Sequence, residues 1–289
     1  MKTLLVIPPM TQLNTPYPST AYLKSYLDSK NIECDQKDFG IDLIDRLFSK
    51  DGLQKIYTSI LNNPQNLQDD SVQFFIDAFS DYQATIEPVK AFLRGHDTSL
   101  ALRLANRALV PEGPRFLPLS EHKQFLGIFG SQSTHDKAKY IGSLYFDDIA
   151  DIIRKAVDDK FEFSRYGEKL ASSQTSFSAL SEQVENSNTI IDQILQEIVS
   201  DYMQSYSPDV IALTAPFPGN VYGAIKIAKF AKAIKPTIKI VLGGGYVNTE
   251  LRTLNDKRFF TYIDYLIFDD GERALECVIE CLEGKRKKD

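Results

Sequence analysis

Ile240-Val-Leu-Gly-Gly-Gly-Tyr246 decides the fold. An apolar run of strand length breaks into three glycines, and a helical pattern follows. An α/β protein builds a pocket in this way at the carboxyl end of a strand. Gly243, Gly244 and Gly245 lack a Cβ, so the backbone can turn with positive φ and a ligand can come close. A tight βα turn that binds nothing would read the same way, and both readings stay open at this point.

Working outward, Thr3 to Ile7 reads as a first strand ended by Pro8 and Pro9. A polar loop leads to a helix from Ser19 to Lys30, and Ile32 to Phe39 reads as a second strand. From Ile41 to Val199 the apolar residues keep helical spacing, as in Ile149, Ile152, Ile153 and Val157. Alternation returns at Pro208 to Thr214, the third strand. A helix over Val221 to Ile234 follows, then the fourth strand, Ile238 to Leu242. A short helix is expected near Asn248 to Leu254, a fifth strand at Tyr262 to Phe268, and a last helix to Leu282. The fold expected is α/β: a flavodoxin-like, doubly wound, five-stranded parallel sheet of order 2-1-3-4-5, with a large all-helical insertion after strand 2. The sheet domain spans 1–40 and 200–284, and the insertion spans 41–199. Strand order reverses between strands 1 and 3, so a ligand should sit where the loops after strands 1, 3 and 4 converge.

Bulk properties narrow the function. The chain has 289 residues, 43% hydrophobic and 25% charged, ordinary for a soluble globular protein. A net charge of −6 argues against a nucleic-acid surface. Three cysteines make no secreted disulfide framework, which points to the cytoplasm. No apolar run approaches a membrane span. No P-loop, no Gly-x-Gly-x-x-Gly after strand 1, no Gly-x-Ser-x-Gly and no His-Glu-x-x-His occurs. No catalytic residue and no metal ligand is assigned.

Several motifs fall in a fixed order: Val6-Ile-Pro-Pro9, Ala21-Tyr-Leu23, Leu213-Thr-Ala-Pro-Phe217, Val241-Leu-Gly-Gly-Gly245, Ile263-Asp-Tyr-Leu266 and Asp270-Gly-Glu272. Together they resemble the N-terminal cobalamin-binding domain of B12-binding radical SAM proteins. That family runs strand-Pro-Pro, Leu-Ala-Tyr-Leu, Val-Leu-Gly-Gly-Pro, Val-Asp-Tyr and Gly-Glu-Gly-Glu. The resemblance covers residues 1–40 and 205–283. It implies a corrinoid against the carboxyl ends of the strands, its nucleotide tail entering beside the sheet. The cofactor-contacting residues it implies are Pro9, Thr214, Ala215, Pro216, Phe217, Gly243, Gly244, Gly245, Tyr246, Gly271 and Glu272.

The departures carry information. The Asp-x-His-x-x-Gly motif that supplies a lower axial histidine in methionine-synthase-type domains is absent, so cobalamin is expected without such a ligand. The histidines, His96, His122 and His135, all lie in the insertion. Asp269-Asp270 stands where the family has its first Gly-Glu. Glu272 suits the N-terminus of its own helix as well as a ligand. Cys277 and Cys281 match two of the three cysteines of a radical SAM cluster motif, but Gly284 holds the third position, and cysteines at this spacing in a helix are ordinary buried residues. The resemblance then implies SAM and a [4Fe–4S] cluster only in a C-terminal radical SAM domain beyond this chain, with residues 285–289 beginning the linker; a stand-alone binding domain is the other reading. This chain alone is expected to be inert. Two other readings stay open: a nucleotide- or nucleotide-sugar-binding domain, such as a glycosyltransferase half, with a diphosphate on the glycine loop; and a non-binding scaffold whose insertion meets a partner protein.

Overall fold

The computed structural model describes residues 1–9, 17–63, 68–121, 133–159, 161–163 and 177–287. Five parallel strands form one sheet in the order β2-β1-β3-β4-β5. They are β1 (Thr3–Ile7), β2 (Cys34–Asp38), β3 (Val210–Thr214), β4 (Lys239–Gly243) and β5 (Tyr265–Leu266). This is the flavodoxin-like order expected from the sequence. Leu4 pairs with Ile211, Leu213 with Leu242, and Thr214 with Gly243. β1 and β3 are buried along their whole length, as central strands covered on both faces require.

The edges depart from the expected bounds for local reasons. β2 reads Cys-Asp-Gln-Lys-Asp and is only half-buried; charge on an edge strand discourages pairing with another chain. It ends at Asp38 and not at Phe39, because the Asp38 carboxylate accepts the Gly40 and Ile41 amides at 2.9 and 3.1 Å and starts a helix there. On the other edge the sequence suggests a strand over Tyr262 to Phe268, but β5 keeps only two residues. Phe259–Thr261 is a 3-10 turn. Asp264 then accepts the Ile240 amide on its side chain at 2.9 Å and donates its own amide to the Ile240 carbonyl. A carboxylate thus fills the place of a ladder acceptor.

Nine helices lie between β2 and β3 among the described residues. They are α1 to α10 less the first, which precedes β2: α1 (Ser19–Ser29), α2 (Phe39–Leu47), α3 (Lys50–Leu61), α4 (Asp70–Asp77), α5 (Phe79–Leu93), α6 (Ala101–Ala105), α7 (Leu117–Glu121), α8 (Thr134–Ala156), α9 (Phe177–Asn186) and α10 (Ile190–Ser205). After β3 come α11 (Gly219–Ile234), α12 (Gly245–Glu250) and α13 (Gly271–Leu282). No helix among the described residues is long and apolar enough to cross a membrane.

The chain forms two compact units, 1–44 with 163–289, and 45–162. The helices over 177–205 therefore go with the sheet, although their spacing groups them with the insertion of 41–199. Their attachment is specific. Lys226 of α11 is 1% exposed, pairs with Asp192 of α10 at 3.3 Å, and donates to the Ser187 carbonyl at 2.7 Å. Tyr222 donates to the same carboxylate at 2.9 Å. Thr189 and Asp192 form a capping box at the start of α10. Burial pulls the Lys226 ammonium below its usual pKa, against the pull of Asp192.

In the helical unit, the buried Tyr82 hydroxyl donates to Asp148 at 2.8 Å. A Cβ on the neighbouring Gly113 would stand 2.0 Å from the Asp148 carboxylate and would force that side chain to shift. Burial pushes the Asp148 carboxyl above the ordinary range.

Candidate functional site

Side chains alternate across a strand, so β1, β3 and β4 present Leu5, Val210, Ala212 and Val241 to one face of the sheet. That face packs against Leu27 of α1 and against Leu275 and Ile279 of α13. At the carboxyl end of the sheet this packing opens into a cleft of about 340 Å³. Thr214, Gly243, Gly244 and Gly245 form one wall. Ser19, Tyr22 and Leu23 of α1, with Gly271, Glu272 and Leu275 of α13, form the other. Ala212, Val241 and Ile267 make its floor apolar and continuous with the core. Tyr17, Leu213, Asn248 and Asp269 complete the lining.

The three glycines have different duties. Gly244 stands at φ +113, where side chains are strained. A Cβ on it would also meet the backbone of Ala215, its carbonyl oxygen at 2.6 Å. Ala215 donates its amide to the Gly243 carbonyl at 2.8 Å and accepts the Tyr246 amide at 3.2 Å. The glycine loop is therefore clamped onto the loop after β3. At Gly245 a Cβ would come within 3.1 Å of the Pro216 carbonyl. Gly243 is different: a Cβ there would make only ordinary contacts, the nearest 3.5 Å from the Ile267 carbonyl. Gly245 is also the first residue of α12, where the sequence suggests a helix starting near Asn248.

Six of the eleven residues singled out from the sequence line the cleft: Thr214, Gly243, Gly244, Gly245, Gly271 and Glu272. Pro9, Ala215, Pro216, Phe217 and Tyr246 do not. Pro9 is buried, and its carbonyl lies 2.3 Å from where a Cβ on Gly223 would stand. The neighbouring Pro8 carbonyl accepts from the Asn220 side chain at 2.9 Å. The start of α11 thus grips the Pro-Pro turn. Ala215 and Pro216 support the glycines through their backbones. Tyr246 is half-buried, and burial raises its phenol pKa. Phe217 is 48% exposed and meets Tyr17 edge-on at 6.3 Å, putting an aromatic pair by the mouth of the cleft. Tyr22, 67% exposed, adds a third ring.

Sequence reasoning did not assign Ser19, Asn248 or Asp269 to the site. The Ser19 hydroxyl oxygen is shielded from solvent and has no hydrogen-bond partner among the described residues. Asp269 stands at φ +60, a conformation that Asp tolerates better than most residues and that glycine adopts freely. This accounts for an Asp where the resembling family has glycine. Its amide donates to the Asn248 side chain at 2.6 Å, and its carboxylate pairs with Arg252, whose guanidinium lies over the Phe268 ring. Glu272 lies in the first turn of α13, whose N-cap, Asp270, makes no side-chain cap bond.

Among the described residues no histidine lines the cleft. His135 packs edge-on against Phe92 inside the helical unit, His96 is exposed there, and His122 lies outside the described residues. Cys34, Cys277 and Cys281 are free thiols, and no group of three or more His, Cys, Asp or Glu side chains among the described residues could hold a metal.

Residues 176–279 match the family model of the B12 binding domain. The matched span runs from α9 to the last helix and holds β3, β4, β5 and the glycine loop. The match supports a cobalamin-binding domain in this chain. No curated protein and no solved structure gives a significant match.

Proposed function

We propose that the cleft holds the nucleotide tail of a corrinoid, and that this chain is the cobalamin-binding portion of a B12-dependent radical SAM enzyme. One observation carries the first part: an apolar slot opens at the carboxyl end of β3 and β4, beside a glycine loop that lies in the span matching the B12 binding domain, and α1, outside that span, closes its other side. Its volume lies at the lower end of the range of ligand pockets, ~300–1,000 Å³. It suits a heterocyclic base and its ribose, with the corrin resting outside on the rim.

The residues present fit that group. The apolar floor suits the faces of a base. The unpartnered Ser19 hydroxyl offers a hydrogen bond that nothing else in the described residues uses. Gly243 leaves room along one wall, while Gly244 and Gly245 hold that wall against Ala215 and Pro216. Tyr17, Tyr22 and Phe217 give a large ring system an apolar rim to rest on. When bound, a corrinoid supplies a cobalt centre for methyl-transfer or radical chemistry. This chain's part is to bind and orient it. The radical SAM portion of the reading rests on the family resemblance of the sequence motifs.

The nucleotide-sugar alternative has less support. A diphosphate would bring two charged phosphates where the corrinoid tail brings one, and among the described residues the lining holds Asp269 and Glu272 but no Lys, Arg or His. The experiment is a titration of the purified chain with hydroxocobalamin, read in the corrin absorbance, alongside a thermal-shift series with nucleoside diphosphates. Saturable corrin shifts at micromolar cobalamin are expected. No shift at high micromolar cobalamin, or stabilisation by nucleotides alone, would overturn the reading.

A further inference from the structure

We infer that Glu272 makes the cleft selective for corrinoids whose peripheral side chains are carboxamides, and that it disfavours those bearing a free carboxylate. The inference rests on the corrinoid reading of the cleft. It starts from the charges in the lining, where Asp269 and Glu272 are the ionisable carboxylates and no cationic side chain appears among the described residues.

The two acids differ. The Asp269 charge is taken up by Arg252, which also stacks on Phe268. Glu272 has no ion-pair or hydrogen-bond partner among the described residues and is half-buried in the first turn of α13, a helix of twelve residues. In that place its carboxylate already answers the positive end of the helix, so this N-terminus does not draw in a second anion. An ionised carboxylate can only accept hydrogen bonds, so whatever meets Glu272 must donate. Gly271 beside it has no side chain to screen the approach, and a Cβ there would meet only Leu23, at 3.5 Å.

A corrin ring carries acetamide and propionamide arms around its edge. Their N–H groups suit Glu272. The same arm hydrolysed to a carboxylate loses its donors and places a second negative charge against the first. At contact distance in a partly desolvated cleft that repulsion weakens binding by about tenfold or more.

The test titrates the full chain with hydroxocobalamin and with each of its three isomeric monocarboxylates from mild acid hydrolysis, which differ from it by one amide. At least one isomer should bind about tenfold more weakly at low salt. Glu272→Gln should narrow that gap to less than about threefold, because a neutral amide removes the repulsion. Raising the salt from about 0.05 M to about 0.5 M should also narrow it in the unaltered chain, a check that does not depend on how the variant folds. Three isomers within twofold of cobalamin, or a gap that persists in both the variant and high salt, overturns the inference and leaves the corrinoid reading standing. Absence of binding by cobalamin itself overturns the corrinoid reading, and this inference with it.

Discussion

The carbonyl oxygen of Ala215 lies 2.6 Å from where a Cβ on Gly244 would stand. A glycine that the sequence marks as part of a ligand cradle is therefore required first by the neighbouring loop. The rim of the site is built by backbone packed on backbone, before any ligand enters.

Gly244→Ala should cost about 2–4 kcal/mol of stability, since it combines an unfavourable φ with a backbone clash. Gly243→Ala should cost less than about 1 kcal/mol, because its Cβ meets only ordinary contacts and the replacement carries Ala's gain in chain entropy. Urea unfolding of both variants measures this. Equal losses would refute the division of labour between the two glycines. Because Gly243 lines the cleft, its alanine variant should still lower corrinoid affinity.

Lys226→Met should destabilise the sheet unit by about 3–5 kcal/mol, since it leaves the Asp192 carboxylate buried without its counter-charge. The double variant with Asp192→Asn should recover much of the loss, since the buried charge is gone. Chemical denaturation of the singles and the double completes the cycle. A Lys226→Met protein as stable as the parent would show that Asp192 needs no cation.

Tyr22→Ala should leave stability within about 0.5 kcal/mol, as an exposed residue does. It should weaken corrinoid binding about 5- to 20-fold, because a ring at the cleft wall presents apolar area to the ligand. Titration followed by corrin absorbance, beside a melting curve, separates the two effects. Unchanged affinity would remove Tyr22 from the site.

Asp209 ties the starts of β1 and β3 to the end of α11. Its carboxylate accepts from Lys235 at 2.7 Å and from the Lys2 amide at 3.0 Å, and these bonds hold its pKa below the ordinary value. A depressed carboxyl pKa adds stability that is fully present above the unfolded-state value of about 3.9 and is lost as pH falls through the folded-state value. Asp209→Asn should therefore lower stability at pH 7 and flatten its decline below about pH 4. Melting temperatures of both proteins from neutral to acid pH test this. Parallel curves would count against the linkage.

Much of the site's location was legible in one dimension, and much of its lining was not. Burial on both faces makes β1, β3 and β4 continuous apolar runs, and the glycines after β4 mark the end of the sheet where the cleft opens. The wall given by α1 and α13 was harder to read. Ser19 and Asp269 lie far apart in sequence and have no shared periodicity; only the packing of two helices on one sheet face puts them in the same cleft. Glu272 was visible as a first-turn acid, but that it has no ion pair among the described residues could be seen only in three dimensions.

By itself the sequence pointed to the parallel sheet and its strand order, because buried central strands read as continuous apolar runs and parallel crossovers are almost always right-handed. Only the tertiary structure decided which of the cleft-lining glycines are braced against the neighbouring loop and which is not, why Asp269 can stand where glycine is expected, and that the helices over 177–205 belong with the sheet. Each of these depends on atoms distant in sequence: the Ala215 carbonyl against Gly244, Arg252 and Asn248 around Asp269, and Lys226 buried against Asp192.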